Sequence, residues 1–106
     1  MFKYDTAHAY SYGYDVAQSE SQQAFINFLD ATIGIERIKL IHLNDTVEQL
    51  GSFIDRHGIM GQGNIGEHAL KNFAMHPALC TIPLLMELPE LSIEQELLIL
   101  EKVRSW

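Results

Sequence analysis

The sequence predicts an α/β fold in which parallel strands carry flanking helices. Short apolar runs alternate with segments of helical spacing, in the order strand, loop, helix, strand, loop, helix, strand, helix. Strands that alternate with helices form βαβ units, whose crossovers make the strands parallel. The predicted strand ends at Asp5, His42 and Glu87 lie 37 and 45 residues apart, as expected for units with long loops after their strands.

The three predicted strands are short apolar runs bounded by turn-forming residues. The first is a remnant that ends at Asp5, and the third, TIPLLMEL, is the clearest. Three parallel strands leave two sheet edges without partners. We therefore expect these elements to belong to a larger α/β fold. The predicted strands cover residues 1–5, 37–43 and 81–88.

The three predicted helices have apolar residues at helical spacing. Ser19 with Gln22, and Ser92 with Gln95, match the capping box that begins many helices. Gly34 is a suitable stop for the first helix, and Pro77 closes the second. The predicted helices cover residues 19–34, 65–76 and 93–103.

Two segments are predicted to be loops. Residues 6–17 lack a clear period and contain Gly13. Residues 44–64 are long and contain four glycines. A loop of that length in a compact domain is usually functional or disordered.

Length and composition limit the classes of protein. With 106 residues, of which 47% are hydrophobic, residues 1–106 form one globular domain at most and cannot close a full eight-stranded barrel. No apolar run can span a membrane, and the N-terminus is not a secretory signal. The single cysteine, Cys80, indicates a reducing, intracellular (cytoplasmic) setting.

The net charge of −7 argues against a nucleic-acid surface built from Lys and Arg. Bound cations neutralise carboxylate ligands, so some of the 14 acidic residues are alternatively metal ligands.

Metal-ligating residue types collect at the predicted carboxyl ends of the strands. In parallel α/β barrels, this is the face on which active sites are built. Imidazole and carboxylate ligands together suit zinc, manganese or iron. Each residue alone has an ordinary structural explanation, but Glu87 in an apolar strand would be a costly buried carboxylate unless paired or ligated. The residues are Asp5, His8, His42, Asp55, His57 and Glu87.

Four motifs occur in order at spacings that resemble endonuclease IV, the AP endonuclease family 2 enzymes of base-excision repair. They are DTAHAYSYGYD, IHLND, GSFIDRHGIMGQGNIG and PLLMELP. The resemblance covers essentially the whole chain, but only the C-terminal part of a family member. It implies about three βα units from the C-terminal part of a (β/α)8 TIM barrel of the xylose isomerase-like superfamily.

The resemblance implies a trinuclear zinc centre that hydrolyses the phosphodiester 5′ to an abasic site in double-stranded DNA, using hydroxide generated from water by the metal. His8, Asp55 and His57 match the ligands of one zinc and make one complete three-ligand site. Asp5, His42 and Glu87 match ligands of a second zinc and are expected to act in catalysis through it. Asn44 and Arg56 are expected to contact phosphate or support the ligands.

Three further ligands of the implied centre have no match in this chain. We therefore expect a C-terminal fragment that is inactive alone and requires a missing N-terminal half-barrel. One alternative is a non-catalytic remnant or interaction module that retains one zinc site. Another is a metal-dependent sugar isomerase or epimerase of the same fold, which the D-R-H and G-x-G-N-I-G patterns disfavour.

Overall fold

The computed structural model describes residues 2–106 and contains a sheet of three parallel strands in the order β1-β2-β3. Asp5 is opposite His42, and His42 is opposite Leu85, so the carboxyl ends of the strands lie side by side. The predicted parallel α/β arrangement is confirmed. The strands are β1 (Phe2–Asp5), β2 (Ile38–His42) and β3 (Leu84–Leu85).

Within residues 2–106, four α-helices and one short 3-10 helix connect and follow these strands. None of the helices in residues 2–106 is long and apolar enough to cross a membrane. The second predicted helix begins two residues later than expected, at Glu67. The helices are α1 (Thr6–Ser11), α2 (Ser19–Thr32), α3 (Glu67–Met75) and α4 (Ile93–Arg104), with the 3-10 turn at Ile35–Arg37.

Helix α1 corrects the prediction that residues 6–17 are a loop. Asp5 is its N-cap, and Asp5 Oδ1 accepts a hydrogen bond of 3.1 Å from the backbone N–H of His8. This bond satisfies one of the N–H groups that a helix start leaves free. A helix of six residues is too short to show a period, which explains why the pattern did not reveal it.

The third strand is much shorter than predicted. Only Leu84 and Leu85 have strand geometry, whereas the apolar run predicted residues 81–88. β3 pairs with β2 on one side and has no described strand on the other. An apolar run predicts a buried environment, but strand length also depends on the hydrogen bonds of neighbouring strands.

The two predicted capping boxes have different outcomes. The box at Ser92 and Gln95 is confirmed, with both reciprocal hydrogen bonds present. The box at Ser19 is wrong, because the N-cap of α2 is Gln18, whose side chain makes no capping bond. Gln22 is instead buried, and its Nε2 donates to the carbonyls of Val16 and Ala69 at 2.9 and 3.0 Å. The side chain thus joins the start of α2 to α3.

The hydrophobic core is formed by the sheet and by helices α2 and α3. Phe25 and Leu29 of α2 belong to the same buried cluster as Leu70 and Phe73 of α3 and Ile41 of β2. α4 contributes no buried residue over Ile93–Arg104. Strand β3 and helix α4, called here the open edge, expose several large apolar side chains: Leu84, Leu85, Ile93, Leu97, Leu98 and Leu100.

Residues 44–66, called here the rim loop, are held by one buried carboxylate. Asp45 is fully buried, and its two oxygens accept hydrogen bonds from five backbone N–H groups at 2.8–3.3 Å. A Cβ at Gly63 would overlap Asp45 Oδ1 and the carbonyl oxygen of Thr46, so the close approach requires glycine there. The N–H donors belong to Thr46, Gly61, Gly63, Ile65 and Gly66.

Candidate metal centre

One cleft of about 430 Å³ at the carboxyl ends of the strands contains all six predicted metal-ligating side chains. The strand register explains part of this arrangement, because Asp5 and His42 end neighbouring strands. His8 lies in the first turn of helix α1 and lines the same cleft. The rim loop folds back so that Asp55 and His57 line it as well. The cleft is lined by Lys3, Tyr4, Asp5, His8, His42, Asp55, His57 and Glu87.

Asp5, His42 and Glu87 form the first group that can hold a metal ion. His42 Nδ1 lies 2.5 Å from Glu87 Oε1 and 3.8 Å from Asp5 Oδ2. One ligand atom from each residue lies within 4.8 Å of the other two. The sequence prediction placed these three residues together, and the structure brings them together.

The position of Glu87 differs from the expectation in one respect. The apolar run predicted a buried carboxylate, but the Glu87 side chain is 47% exposed. Glu87 lies beyond the two-residue β3 at the open edge, so little protein covers it. Its carboxylate therefore needs no partner merely to offset burial.

Asp5, Asp55 and His57 form a second group, whose ligand atoms also lie within 4.8 Å of one another. His57 Nε2 lies 3.3 Å from Asp5 Oδ2 and 3.8 Å from Asp55 Oδ1. His8, which the resemblance placed with Asp55 and His57, contacts Asp55 through Nδ1 at 2.9 Å but is outside this three-residue group. Asp5 is thus common to both groups.

The ring of His57 is oriented by a backbone carbonyl. His57 Nδ1 lies 3.0 Å from the carbonyl oxygen of Glu87, which can only accept, so Nδ1 carries the hydrogen. This assignment follows from the hydrogen-bond partner. Nε2 then presents its lone pair towards the oxygens of Asp5 and Asp55. Acceptors that converge in this way can together coordinate a metal ion. Nitrogen and carboxylate donors of this kind suit divalent ions such as zinc, manganese or iron.

Asn44 lies beneath the cleft and connects three of the candidate ligands. Its side chain is buried, and Nδ2 donates to Asp5 Oδ2 at 3.2 Å and lies 3.5 Å from His57 Nε2. Its Oδ1 accepts from the Glu87 backbone N–H at 2.8 Å. Thr6 Oγ1 holds the Asn44 backbone, donating to its carbonyl and accepting from its N–H. These contacts place Asn44 in support of the ligands.

Arg56 has a different environment from Asn44. Its side chain is exposed, and Nη1 lies 3.3 Å from Glu48 Oε1. Exposed ion pairs of this kind contribute little to stability, so the guanidinium can exchange partners. A role in binding phosphate stays a prediction.

Tyr4 borders the cleft but is not suited to proton transfer. Burial, followed by the negative charge of Asp5, raises the pKa of the Tyr4 phenol far above its usual value. The phenol therefore stays protonated near neutral pH. Its hydroxyl is buried and has no hydrogen-bond partner among residues 2–106.

Sequence reasoning missed the role of two residues that organise the site. Asp45 and Thr6 occur in the motifs IHLND and DTAHAY, but neither was assigned a role. A pattern for Asp45 was present, because an acidic residue precedes four closely spaced glycines whose N–H groups need acceptors. No local pattern could predict that Thr6 holds Asn44, since the two residues are 38 positions apart.

Fold and site together define a partial (β/α) barrel with a polar centre at the carboxyl ends of its strands. A family model described as "Xylose isomerase-like TIM barrel" matches residues 2–106, so the chain belongs to that family. Among curated proteins, it is similar to Probable endonuclease 4 of Thermosipho africanus (44% identity over 85 residues) and of Methanoculleus marisnigri (40% over 86 residues). These matches cover 80% and 81% of this chain, and 30% of each relative.

The crystal structure of endonuclease IV from Thermus thermophilus has the same fold over 98% of this chain, with a TM-score of 0.86 and 38% identity. The match covers 37% of that protein. The chain therefore spans about a third of the length of these relatives. The predicted resemblance to endonuclease IV and the predicted partial TIM barrel are confirmed.

Proposed function

We propose that this chain carries part of the active centre of a zinc-dependent AP endonuclease of base-excision repair. The reaction is hydrolysis of the phosphodiester on the 5′ side of an abasic site in double-stranded DNA. The observation that carries the proposal is the pair of overlapping histidine–carboxylate groups that share Asp5. The names of the similar proteins, endonuclease 4 and endonuclease IV, support the same reaction class.

Two sets of residues in the cleft would each hold a metal ion. Asp5, His42 and Glu87 would hold one zinc ion, and His8, Asp55 and His57 another, with Asp5 next to both. Bound zinc supplies polarisation of the phosphate and hydroxide at near-neutral pH. Asn44 orients the Asp5 carboxylate, and the backbone carbonyl of Glu87 orients the His57 ring. Such supporting contacts typically change metal affinity or activity about 10–100-fold.

Abasic DNA is a suitable substrate for a site in a cleft. An enzyme that acts on one nucleotide in a duplex must extrude it from the stack, and the unstacking cost is least when there is little to unpair. A nucleotide without a base therefore enters such a cleft at low cost. This difference is one source of selectivity for the damaged site.

The complete centre needs residues beyond these 106. Since the chain spans about a third of its relatives, the remaining ligands would come from the other barrel strands. Those strands would pair with the two sheet edges, which lack partners among the described residues. We therefore expect this chain alone to be inactive in incision, and to need an N-terminal half-barrel.

A sugar isomerase is the second candidate, because the matching family model is described as xylose isomerase-like. It would use the same carboxylates and histidines to hold divalent metal. The named relatives favour the nuclease. Isomerisation of a panel of ketoses by the metal-loaded protein would favour this alternative instead.

The test combines zinc content with incision of a duplex that contains one abasic site. The chain is measured alone and after mixing with the N-terminal part of the Thermosipho africanus relative. We expect zinc binding by the chain alone, and incision only in the mixture. Incision should disappear in His42→Ala but not in His68→Ala, which removes an exposed histidine on α3.

Two outcomes would contradict the proposal. One is a soluble complex that holds zinc but leaves abasic DNA intact. The other is equal zinc binding by His42→Ala and by the unchanged chain. Binding of a single zinc ion by the chain, with no incision in any mixture, would favour the non-catalytic remnant.

A further inference from the structure

The rings of His8, Tyr12 and Phe53, called here the aromatic ladder, contact one another in turn beside the candidate metal centre. The ring of Tyr12 stacks on the ring of His8, with centroids 4.4 Å apart and planes at 27°. Phe53 meets Tyr12 edge to face, with centroids 5.3 Å apart. Asp55, which contacts His8, follows Phe53 by two residues. The ladder therefore leads from a candidate metal ligand out to solvent.

Phe53 is held in a conformation that few side chains adopt. It is the only non-glycine residue in residues 2–106 with a positive φ, at 59°. Its N–H donates to the carbonyl of Ser11 at 2.8 Å, and the N–H of Gly51 donates to that of Tyr10 at 3.0 Å. These bonds tie the rim loop to α1 at the cost of backbone strain. Strain of this kind persists only where the surrounding structure imposes it.

The imposed conformation does not bury the ring. The Phe53 side chain is 71% exposed, more than the other exposed aromatic residues, which are Tyr12, Tyr14 and Phe28. Core packing therefore does not account for an aromatic residue at this strained position. The ring is available for a flat partner that approaches the cleft.

We propose that Phe53, braced by Tyr12, stacks against a nucleobase next to the nucleotide held in the cleft. The proposal rests on the proposed function and names an additional substrate contact. Aromatic rings stack on any base, whatever its sequence. The chain has 7 basic and 14 acidic residues, so its net charge does not favour an approach to the phosphate backbone. A contact that does not depend on positive charge is suited to such a chain.

A direct test uses a duplex with a stable abasic analogue and the fluorescent base 2-aminopurine beside it. The zinc-loaded mixture that contains this chain is titrated against the duplex. Stacking on Phe53 should quench the fluorescence. Phe53→Ala should abolish the quenching and weaken DNA binding roughly 5- to 150-fold, the effect of losing one aromatic–base contact.

Three variants separate stacking from a structural role. Phe53→Trp keeps an aromatic ring and should restore binding. Phe53→Gly removes the ring but relieves the positive φ, so it should lose binding without lowering the melting temperature. Phe28→Ala removes a ring of similar type that is 49% exposed on α2 and should bind as the unchanged protein does.

The possible failures are distinguishable. If the mixture incises abasic DNA but Phe53→Ala changes neither quenching nor affinity, the stacking contact is wrong and the proposed function stands. If the unchanged mixture forms a soluble complex that holds zinc but neither binds nor incises the duplex, both are overturned. If Phe53→Ala weakens only the association with the N-terminal part, the ring belongs to a protein interface and the stacking proposal is wrong.

Discussion

The rim loop and the open edge are stabilised by opposite means. The rim loop has almost no regular structure, yet the buried Asp45 carboxylate joins five of its backbone N–H groups. The open edge has a strand and a 12-residue helix, yet α4 buries no residue. Regular secondary structure is therefore a poor guide to which part of this molecule is fixed. The site depends on the irregular part.

The largest expected effect comes from removing the carboxylate that holds the rim loop. Asp45→Ala should lower the free energy of unfolding by about 3–5 kcal/mol, because several buried N–H groups lose a charged acceptor. Hydrogen exchange at Gly61, Gly63 and Gly66 should accelerate. Urea denaturation and amide exchange measure the two effects.

Asp30→Ala is the matched control for this prediction. Asp30 is exposed and accepts one backbone hydrogen bond, from Ile35 at 3.2 Å. We expect a loss of less than about 1 kcal/mol. Similar losses for Asp30→Ala and Asp45→Ala would mean that the carboxylate does not organise the loop.

The second prediction concerns Asn44, which connects the rim loop to the strand ends. Asn44→Ala removes the donor to Asp5 and the acceptor for the Glu87 N–H, so both candidate metal groups lose support. Zinc affinity should fall about 10–100-fold. Competition with a chelator measures it.

Asn72→Ala removes the same type of side chain from the exposed face of α3, where it contacts His68. It should leave the affinity for zinc unchanged. Unchanged zinc binding by Asn44→Ala would remove Asn44 from the centre.

Much of the fold was predictable because its patterns are local, whereas the support of the site is not. Alternating apolar runs predicted the strands, and the Ser92 box predicted the start of α4. The positions of Asp5, His42 and Glu87 at strand ends predicted that their side chains lie close together, and the structure shows this proximity. Helix α1 was missed because it is short and its start depends on the Asp5 cap. The length of β3 was overestimated because β3 pairs with a described strand on one side only.

The sequence could not predict how the two candidate metal-binding groups are arranged relative to each other. The pairing of His57 with Asp5 spans 52 positions and depends on how the rim loop folds back. That path is fixed by Asp45, whose hydrogen bonds are visible only in three dimensions. The contact between Tyr12 and Phe53 was equally unpredictable from the sequence. It depends on backbone hydrogen bonds between the rim loop and α1.

The third prediction concerns Tyr4, which packs between the sheet and the helices, with ring centroids 5.1 Å from Phe25 and 6.0 Å from Phe73. Its buried hydroxyl has no partner among the described residues. Tyr4→Phe should therefore raise the free energy of unfolding by about 1 kcal/mol at neutral pH.

The effect of Tyr4→Phe should also depend on pH. The folded-state pKa of Tyr4 is raised by burial, so its contribution to stability is present below pH 10 and lost as the pH rises above that value. The unchanged chain should thus lose stability from about pH 10 more steeply than Tyr4→Phe. Identical alkaline unfolding curves would show that the phenol is exposed to solvent in the folded protein.

The smallest expected effect is at the open edge, and one matched pair of substitutions compares it with the core. Leu98 of α4 is 67% exposed, whereas Leu70 of α3 is fully buried. Leu70→Ala should cost about 2–5 kcal/mol, and Leu98→Ala less than about 0.5 kcal/mol. Urea denaturation at two protein concentrations measures both. A large loss for Leu98→Ala that grows with concentration would mean that a second copy covers α4 in solution. The open edge would then be stabilised by association, while the rim loop is stabilised from within.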